Sequence, residues 1–151
     1  MPRIKVEFPK HVSFVTTIPV RITDLNYGGH VGNDTILSLI HEFRMQFLLH
    51  LGYASELKVE GVGLIMTDVA IEFKNEMFYG EELRGSVAVE EISKVGFELY
   101  YKLEKSFAKN PVAVALAKTG MVCFDYENRK IAPIPGKFRQ KLEGLVGKES
   151  G

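Results

Sequence analysis

The sequence predicts an α+β domain in which a mostly antiparallel sheet packs on one long helix. Three observations indicate this fold class: a single long segment with helical apolar spacing, alternating apolar residues in the segments around it, and short turn-forming links. One strand, one helix and then further strands leave sheet edges open, which favours pairing with a second subunit. A chain of 151 residues can bury one core, so we expect a single domain over residues 1–151.

The first strand is predicted from His11 to Ile22, because its apolar side chains fall on one side. Pro19 lies inside this segment and cannot donate a ladder hydrogen bond, so the strand is expected at a sheet edge or at a bulge. The apolar residues that share one parity are Val12, Phe14, Ile18, Val20 and Ile22.

The long helix follows, since apolar residues recur at steps of four and three between Ile36 and Leu51. Asn33 or Asp34 is expected to cap its start, and Gly52 is expected to end it. Its opposite face carries four polar residues at four-residue intervals, which is more typical of a solvated face than of a site. They are Ser38, Glu42, Gln46 and His50.

Four strand patterns come after the helix, over residues 65–74, 83–89, 95–104 and 112–125. The last pattern is apolar on both parities for much of its length, which predicts a central strand covered on both sides. A short amphipathic segment over residues 137–145 closes the chain.

Composition excludes several classes of function. Nineteen basic residues balance nineteen acidic ones, so there is no concentrated positive field for nucleic acid. One cysteine excludes an internal disulfide, and the four histidines lack metal-ligand spacing, so no metal site is expected. The sequence holds no phosphate loop, no dinucleotide fingerprint and no serine-hydrolase elbow. Without an apolar leader or a membrane-spanning run, a cytoplasmic location is expected, with no membrane partner.

The polar insert "DLNYGGHVGND", residues 24–34, interrupts the apolar pattern. Glu42 follows sixteen residues after Asn26, and Arg44 follows eighteen after it. Together with "AIEFKNEMFYGEEL" and "AVALAKTGMVCFDYENRKIAPIP" further along, this order resembles the hot-dog-fold acyl-CoA thioesterases of the 4-hydroxybenzoyl-CoA thioesterase type. The resemblance extends from about residue 13 to residue 145, nearly the whole chain.

The resemblance implies a hot-dog fold, in which an antiparallel sheet of five or six strands wraps one long central helix. It also implies a homodimer or a dimer of dimers, with active sites at the subunit interface. Members of the family hydrolyse acyl-CoA thioesters, less often acyl-carrier-protein thioesters, without a metal or an organic cofactor. An acyl-CoA is therefore the expected partner, and no cofactor is expected.

Two positions depart from the family's motif. Asn26 stands where the family usually has a catalytic aspartate, and an asparagine cannot act as a carboxylate base. Gly32 replaces the first asparagine of the His-Val-Asn-Asn run, whereas Asn33, His30 and Gly29 match.

Thioester hydrolysis needs donors for an oxyanion and a base that activates water. The start of the helix supplies free backbone N–H groups, so the Asn33 N–H is the expected donor, with the Asn26 amide as a second candidate. For the base, Glu42 and His30 are equally suited, and Asp24 ranks behind them.

The remaining candidates are expected to contact substrate. Lys74 lies where the family often places a basic residue near the CoA phosphates, although a solvated lysine explains it equally well. Tyr27, Phe43 and Tyr79 are candidates for the acyl pocket. The full set of expected substrate-binding residues is Asp24, Tyr27, Gly28, Gly29, Val31 and Lys74.

Three functions fit the residues. An acyl-CoA thioesterase is the leading hypothesis. A non-catalytic module that binds acyl-CoA or an acyl carrier is the alternative, and Asn26 favours it. A hot-dog dehydratase or hydratase is the weakest, because the proline-rich continuation of such enzymes is missing.

Overall fold

The computed structural model describes residues 4–25, 29, 31–105 and 110–146. Within these residues the fold consists of six antiparallel strands and two helices, with a short 3-10 turn at Ile22–Asp24. In chain order they are β1 (Phe14–Pro19), α1 (Asn33–His50), β2 (Gly63–Phe73), β3 (Glu82–Glu90), β4 (Gly96–Lys105), β5 (Val112–Asp125), β6 (Lys130–Ile131) and α2 (Gly136–Glu143). The sheet order is β1-β3-β4-β5-β2, and β6 pairs with β5. The predicted α+β class and hot-dog architecture are confirmed.

Helix α1 supplies one half of the core, because its apolar stripe faces the sheet. Ile40, Phe43, Phe47 and Leu48 are fully buried among the inward-facing side chains of β3, β4 and β5. A Cβ on Gly85 would clash with the ring of Phe43. The glycine in β3 therefore lets the helix approach the sheet closely at this point.

The two ends of α1 differ from each other in how they are capped. Gly32 is the N-cap and has no side chain to offer, so the predicted cap by Asn33 or Asp34 is wrong: Asn33 is the first helical residue. At the other end Gly52 adopts φ +100°. Its N–H donates to the Leu49 carbonyl at 2.9 Å, and the Tyr53 N–H donates to the Leu48 carbonyl at 2.9 Å. This pair of bonds confirms that Gly52 ends the helix.

Strand β1 is shorter than predicted. Residues 22–24 turn away in the 3-10 turn, which is held by the Asp24 carboxylate accepting the Arg21 N–H at 2.8 Å. The chain therefore leaves the sheet at Pro19, and β1 is an edge strand, as the proline predicted. The predicted central position of β5 is confirmed, because it lies between β4 and β2. Its predicted cover on both sides is only partial, since Leu116, Lys118 and Val122 on one side are half-buried. The two-residue strand β6 was not predicted.

Strand β2 forms the other edge of the sheet. Met66, Val69 and Phe73 lie directly opposite Met121, Thr119 and Ala115 of β5. Directly opposed residues share one face of a sheet, and these three β5 residues are buried on the helix side. Nevertheless Met66, Val69 and Phe73 remain 36%, 40% and 46% exposed. The sheet edge thus carries an apolar stripe that α1 does not cover.

Among the described helices, none is long and apolar enough to cross a membrane.

Candidate active site

The polar insert is closed at its base by contacts on both sides. Leu25 and Val31 form an isolated antiparallel bridge. The Val31 N–H also donates to the Met77 carbonyl at 2.9 Å, which ties the insert to the segment after β2. Gly29 is exposed and adopts φ +77°, a conformation that favours glycine. Four predicted site residues, Asn26, Tyr27, Gly28 and His30, lie outside the described residues.

A cleft of about 190 Å³ opens beside the first turn of α1. One wall comes from the start of the helix and the other from the chain that follows β2. Three predicted site residues, Val31, Asn33 and Lys74, line it together. The other lining residues are Ile36, Phe73, Asn75, Glu76, Met77 and Val114.

The cleft lies at the positive end of the α1 dipole. An α-helix leaves its first backbone N–H groups without intrahelical acceptors, and the first intrahelical bond of α1 is Ile36 N–H to the Gly32 carbonyl at 3.2 Å. Because Gly32 has no side-chain acceptor, the helix makes no side-chain cap among the described residues. The Asn33 N–H therefore belongs to a group of donors suited to an anion at this wall.

Lys74 is held at the rim of the cleft by an acid. Its Nζ lies 2.9 Å from Glu72 Oε2, and the other oxygen of Glu72 accepts the Val6 N–H at 3.1 Å. The hydrogen bond from Lys74, followed by that from the Val6 amide, lowers the pKa of Glu72, which keeps this carboxyl ionised. Lys74 thus presents a half-exposed ammonium group, and the contact with Glu72 fixes the direction in which this group points.

The segment after β2 is the part of the site that sequence reasoning largely missed. Its backbone is attached to β5, since the amides of Lys74 and Asn75 both donate to the Val114 carbonyl at 2.8 and 3.2 Å. The Asn75 side chain also donates to the Ala113 carbonyl at 2.7 Å. These residues lie within the family-like stretch 70–83, but only the sheet order brings them next to the helix start.

Asp24 is a buried structural residue and does not line the cleft. Its carboxylate accepts both the backbone N–H of Arg21 and the Arg21 guanidinium, the latter at 3.2 Å to Nη2. The hydrogen bond to Asp24 raises the pKa of Arg21, and the charge of Glu42 adds a smaller contribution. Both predicted acids therefore lie near one arginine, outside the cleft.

Glu42 is exposed on the outer face of α1, where it lines a separate groove of about 590 Å³. That groove shares no residue with the cleft at the start of the helix. Phe43 is fully buried in the core and Tyr79 is exposed on the loop before β3, and neither lines the cleft.

Arg44 contacts an acid and does not line the cleft. Its Nε lies 3.0 Å from Glu56 Oε1, and its Nη1 donates to the Tyr101 hydroxyl at 3.3 Å. Arg44 therefore anchors α1 to the sheet and to the loop after the helix.

The chain matches the thioesterase-like superfamily over residues 20–142. This match covers most of the chain, so the protein belongs to that superfamily, and the predicted family is confirmed. A curated relative, the 1,4-dihydroxy-2-naphthoyl-CoA hydrolase of Microcystis aeruginosa, is 28% identical over 125 residues, which cover 82% of this chain and 88% of the relative.

Solved structures share the fold. A predicted thioesterase from Bacillus stearothermophilus superposes with a TM-score of 0.75 at 22% identity, covering 91% of this chain and 98% of the other. A 1,4-dihydroxy-2-naphthoyl-CoA thioesterase from Synechocystis gives a TM-score of 0.74 at 22% identity, covering 87% of this chain and 96% of the other. At this identity the likeness extends to the fold alone.

Proposed function

We propose that this protein is an acyl-CoA thioesterase that hydrolyses acyl- or aroyl-CoA to the free acid and CoA. The observation that carries the proposal is the cleft itself. Asn33, at the positive end of α1, and Lys74, the basic residue at the rim, line one cavity. Donors for an oxyanion serve the reaction itself, and a cation near a phosphate serves the binding of CoA.

In the proposed mechanism the thioester carbonyl oxygen points at the Asn33 N–H. A tetrahedral intermediate places negative charge on that oxygen, and a single well-placed donor stabilises it by about 3–4 kcal/mol. The Asn26 side-chain amide is the proposed second donor. In this role the asparagine contributes to the reaction without acting as a base, which is the role of the aspartate usual at this position. Gly28 and Gly29 have no side chains to block the approach of the acyl group to the backbone.

His30 is the base that we favour. Asp24 is engaged by Arg21, and Glu42 lines another groove of the same protomer. His30, in contrast, immediately precedes Val31 in the sequence, and Val31 is a residue of the cleft wall. Its imidazole would take a proton from water as the hydroxyl oxygen bonds to the carbonyl carbon. Collapse of the intermediate then breaks the carbon–sulfur bond, and the departing thiolate receives that proton. Glu42 remains the second candidate, acting from another subunit.

The size of the cleft supports a compact acyl group. A volume of about 190 Å³ is below the range of about 300–1,000 Å³ typical of sites that enclose a whole drug-sized ligand. The acyl group alone would then enter, with the nucleotide part of CoA outside, near Lys74. The naphthoyl-CoA named for the curated relative supports an aroyl substrate.

The proposed enzyme is at least a homodimer, joined along β2. This edge strand is 11 residues long, and it carries the exposed stripe of Met66, Val69 and Phe73 on the helix side. A second β2 paired antiparallel would satisfy its open backbone groups and cover this stripe. Phe73 belongs both to the stripe and to the cleft. The site therefore lies beside the proposed seam between subunits.

The test is release of thiol from a panel of acyl- and aroyl-CoA substrates, for the wild type, His30→Ala and Glu42→Ala. We expect turnover by the wild type and a loss of at least about tenfold in kcat/KM, roughly 1.4 kcal/mol, for His30→Ala. A larger loss for Glu42→Ala would assign the base to Glu42 instead.

The alternative function is a module that binds acyl-CoA without turnover, and Asn26 at the usual aspartate position favours it. A binder would release no thiol from any substrate in the panel. It would nevertheless gain thermal stability on addition of CoA or acyl-CoA, because ligand binding stabilises the folded state.

A further inference from the structure

The cleft at the start of α1 has a polar rim and an apolar floor. At the rim, Asn33, Lys74 and Asn75 are exposed. The floor is formed, in the described part of the chain, by four apolar lining residues whose exposures lie between 1% and 5%. They are Val31, Ile36, Met77 and Val114. A thioester held at the rim therefore directs its acyl group towards the buried floor.

The depth of the cleft follows the first turn of α1. Asn33 and Ile36 are three residues apart, so they lie on the same side of the helix. Ile36 is about 4.5 Å further along the helix axis, given a rise of about 1.5 Å per residue. An acyl group whose carbonyl oxygen meets the Asn33 N–H therefore reaches the floor within about one helical turn.

The volume of the cleft fits one aromatic ring. An engineered apolar cavity of about 150 Å³ in another protein holds a benzene ring. The cleft here measures about 190 Å³, which leaves room for one ring and the carbonyl group attached to it. A second fused ring would have to enter the space that a floor residue occupies.

Met77 is the floor residue that can change shape. The other three are valine or isoleucine, whose branched Cβ restricts the first side-chain torsion. A methionine side chain is unbranched and adapts to the space around it. The backbone of Met77 is anchored, because its carbonyl accepts the Val31 N–H from the opposite wall at 2.9 Å. The position of the floor thus depends on the Met77 side chain, which is 1% exposed.

We propose that Met77 determines the upper size of the acyl group, by filling the space that a second fused ring needs. This inference rests on the proposed function, in which the thioester carbonyl lies at the Asn33 N–H. The wild type then favours a single-ring aroyl group over a bicyclic one. Shortening the side chain of Met77 deepens the cleft and admits the larger group.

The expected discrimination follows from the contact area involved. One methylene group more or less in an apolar pocket changes kcat/KM by about 10–200-fold. A fused ring is larger than a methylene group, so we expect a preference of at least about tenfold, which corresponds to roughly 1.4 kcal/mol.

The first experiment compares kcat/KM for benzoyl-CoA and 2-naphthoyl-CoA. The wild type should prefer benzoyl-CoA at least about tenfold, and Met77→Ala should reduce this ratio at least about tenfold. Met77→Leu conserves the side-chain volume and should keep the ratio of the wild type. A wild type that prefers 2-naphthoyl-CoA would overturn the proposal, and so would an unchanged ratio in Met77→Ala.

Met121→Ala is the matched control for the loss of a buried methionine. Met121 of β5 is also 1% exposed, but it does not line the cleft. Its truncation should lower the thermal stability and leave the substrate ratio unchanged. The same change of ratio in Met121→Ala would mean that general loosening of the core is responsible, against the proposal. Met77→Val is the milder truncation and should shift the ratio in the direction of Met77→Ala. Circular dichroism checks that each variant is folded.

A binding measurement separates the size limit from catalysis. S-benzyl-CoA and S-(2-naphthylmethyl)-CoA carry a methylene group in place of the carbonyl and cannot be hydrolysed. Titration calorimetry should show at least about tenfold tighter binding of the benzyl compound to the wild type, and a smaller difference for Met77→Ala. If this result appears without release of thiol from either thioester, the proposed hydrolysis fails and the size limit holds. Turnover by the wild type, with equal affinity for the two analogues, would overturn the size limit and leave the proposed activity intact.

Discussion

Arg44 Nε and Glu56 Oε1 lie 3.0 Å apart beneath α1, where the arginine side chain is almost completely buried. The same carboxylate oxygen lies 2.9 Å from His41 Nε2. Behind Arg44, the fully buried Tyr101 hydroxyl bonds to Thr119 Oγ1 at 2.7 Å. One polar chain of contacts therefore connects the helix, the loop after it and the centre of the sheet.

Removing the charge of only one partner of this ion pair should lower the stability of the fold. Glu56→Gln leaves the buried Arg44 without its counter-charge, and we expect a loss of about 3 kcal/mol in the free energy of unfolding. The double variant Arg44→Met, Glu56→Gln should lose less than the sum of the single losses, because neither charge is then stranded. Urea denaturation measures both quantities. Glu143→Gln is the control, since its pair with Arg139 is exposed and should be worth less than about 1 kcal/mol. Additive losses in the cycle would show that the two residues do not act as a pair.

Gly85→Ala should destabilise the fold through Phe43. The added Cβ would clash with the Phe43 ring, and overpacking of a buried site costs about 1–3 kcal/mol. Thermal unfolding measures the change. Gly136→Ala is the matched control, because a Cβ there meets nothing within 4 Å. Phe43→Leu in the Gly85→Ala background should recover part of the loss, and no recovery would mean that another contact is responsible.

Much of this architecture follows from local pattern. The bounds of β5 were predicted as observed, since its long apolar run is interrupted by no turn signal. The end of α1 was predicted because Gly52 is the residue type that a left-handed terminus requires. The end of β1 was not predicted. The chain leaves the sheet in a turn that is held by the hydrogen bond from the Arg21 N–H to the Asp24 carboxylate, and the alternation of apolar residues does not reveal such a bond.

The site was predictable only in part, for a similar reason. Asn33 was placed at the helix start by its sequence neighbours, and Lys74 by resemblance to a family. That they line one cleft depends on the antiparallel pairing of β2 with β5 and on the tie from Val31 to Met77. For Glu42 the helical spacing correctly predicted a position on the polar stripe of α1. The groove that this stripe faces depends on how β1 packs beside the helix, which the sequence does not show.

Lys74 should contribute to binding of CoA and not to the chemical step. Lys74→Gln is expected to raise KM for an acyl-CoA about fivefold, roughly 1 kcal/mol, with little change in kcat. KM for the corresponding acyl-pantetheine, which lacks the nucleotide phosphates, should stay the same. Lys58→Gln is the control, because Lys58 is exposed and does not line the cleft. An equal rise in KM for both substrates would argue against a phosphate contact.

Cys123 should be unreactive in the native protein. Burial raises the pKa of its thiol to about 11, above the value of about 8.5 for a free cysteine. The thiol therefore stays neutral at pH 8, and the stability that this neutral form contributes is lost only as the pH rises from about 8.5 through 11. Titration with a chromogenic disulfide at pH 8 should detect no protein thiol until denaturant is added. Rapid labelling of the folded chain would show that the thiol is accessible.

The most direct test of the proposed active site removes one backbone N–H. Asn33 is the first residue of α1, a position that accepts proline because its N–H makes no intrahelical bond. Gly32 before it adopts φ −74° and ψ 160°, which is the region that a residue preceding proline prefers. Asn33→Pro should therefore fold normally, whereas Asn33→Ala, the control, keeps the N–H and loses only the side chain.

Thiol release from an aroyl-CoA is then compared among these proteins. If the Asn33 N–H stabilises the oxyanion, Asn33→Pro should lose about 10²–10³ in kcat, and Asn33→Ala should stay within a few-fold of the wild type. Asn33→Pro with wild-type turnover and an unchanged fold would contradict the placement of the reaction at the start of this helix.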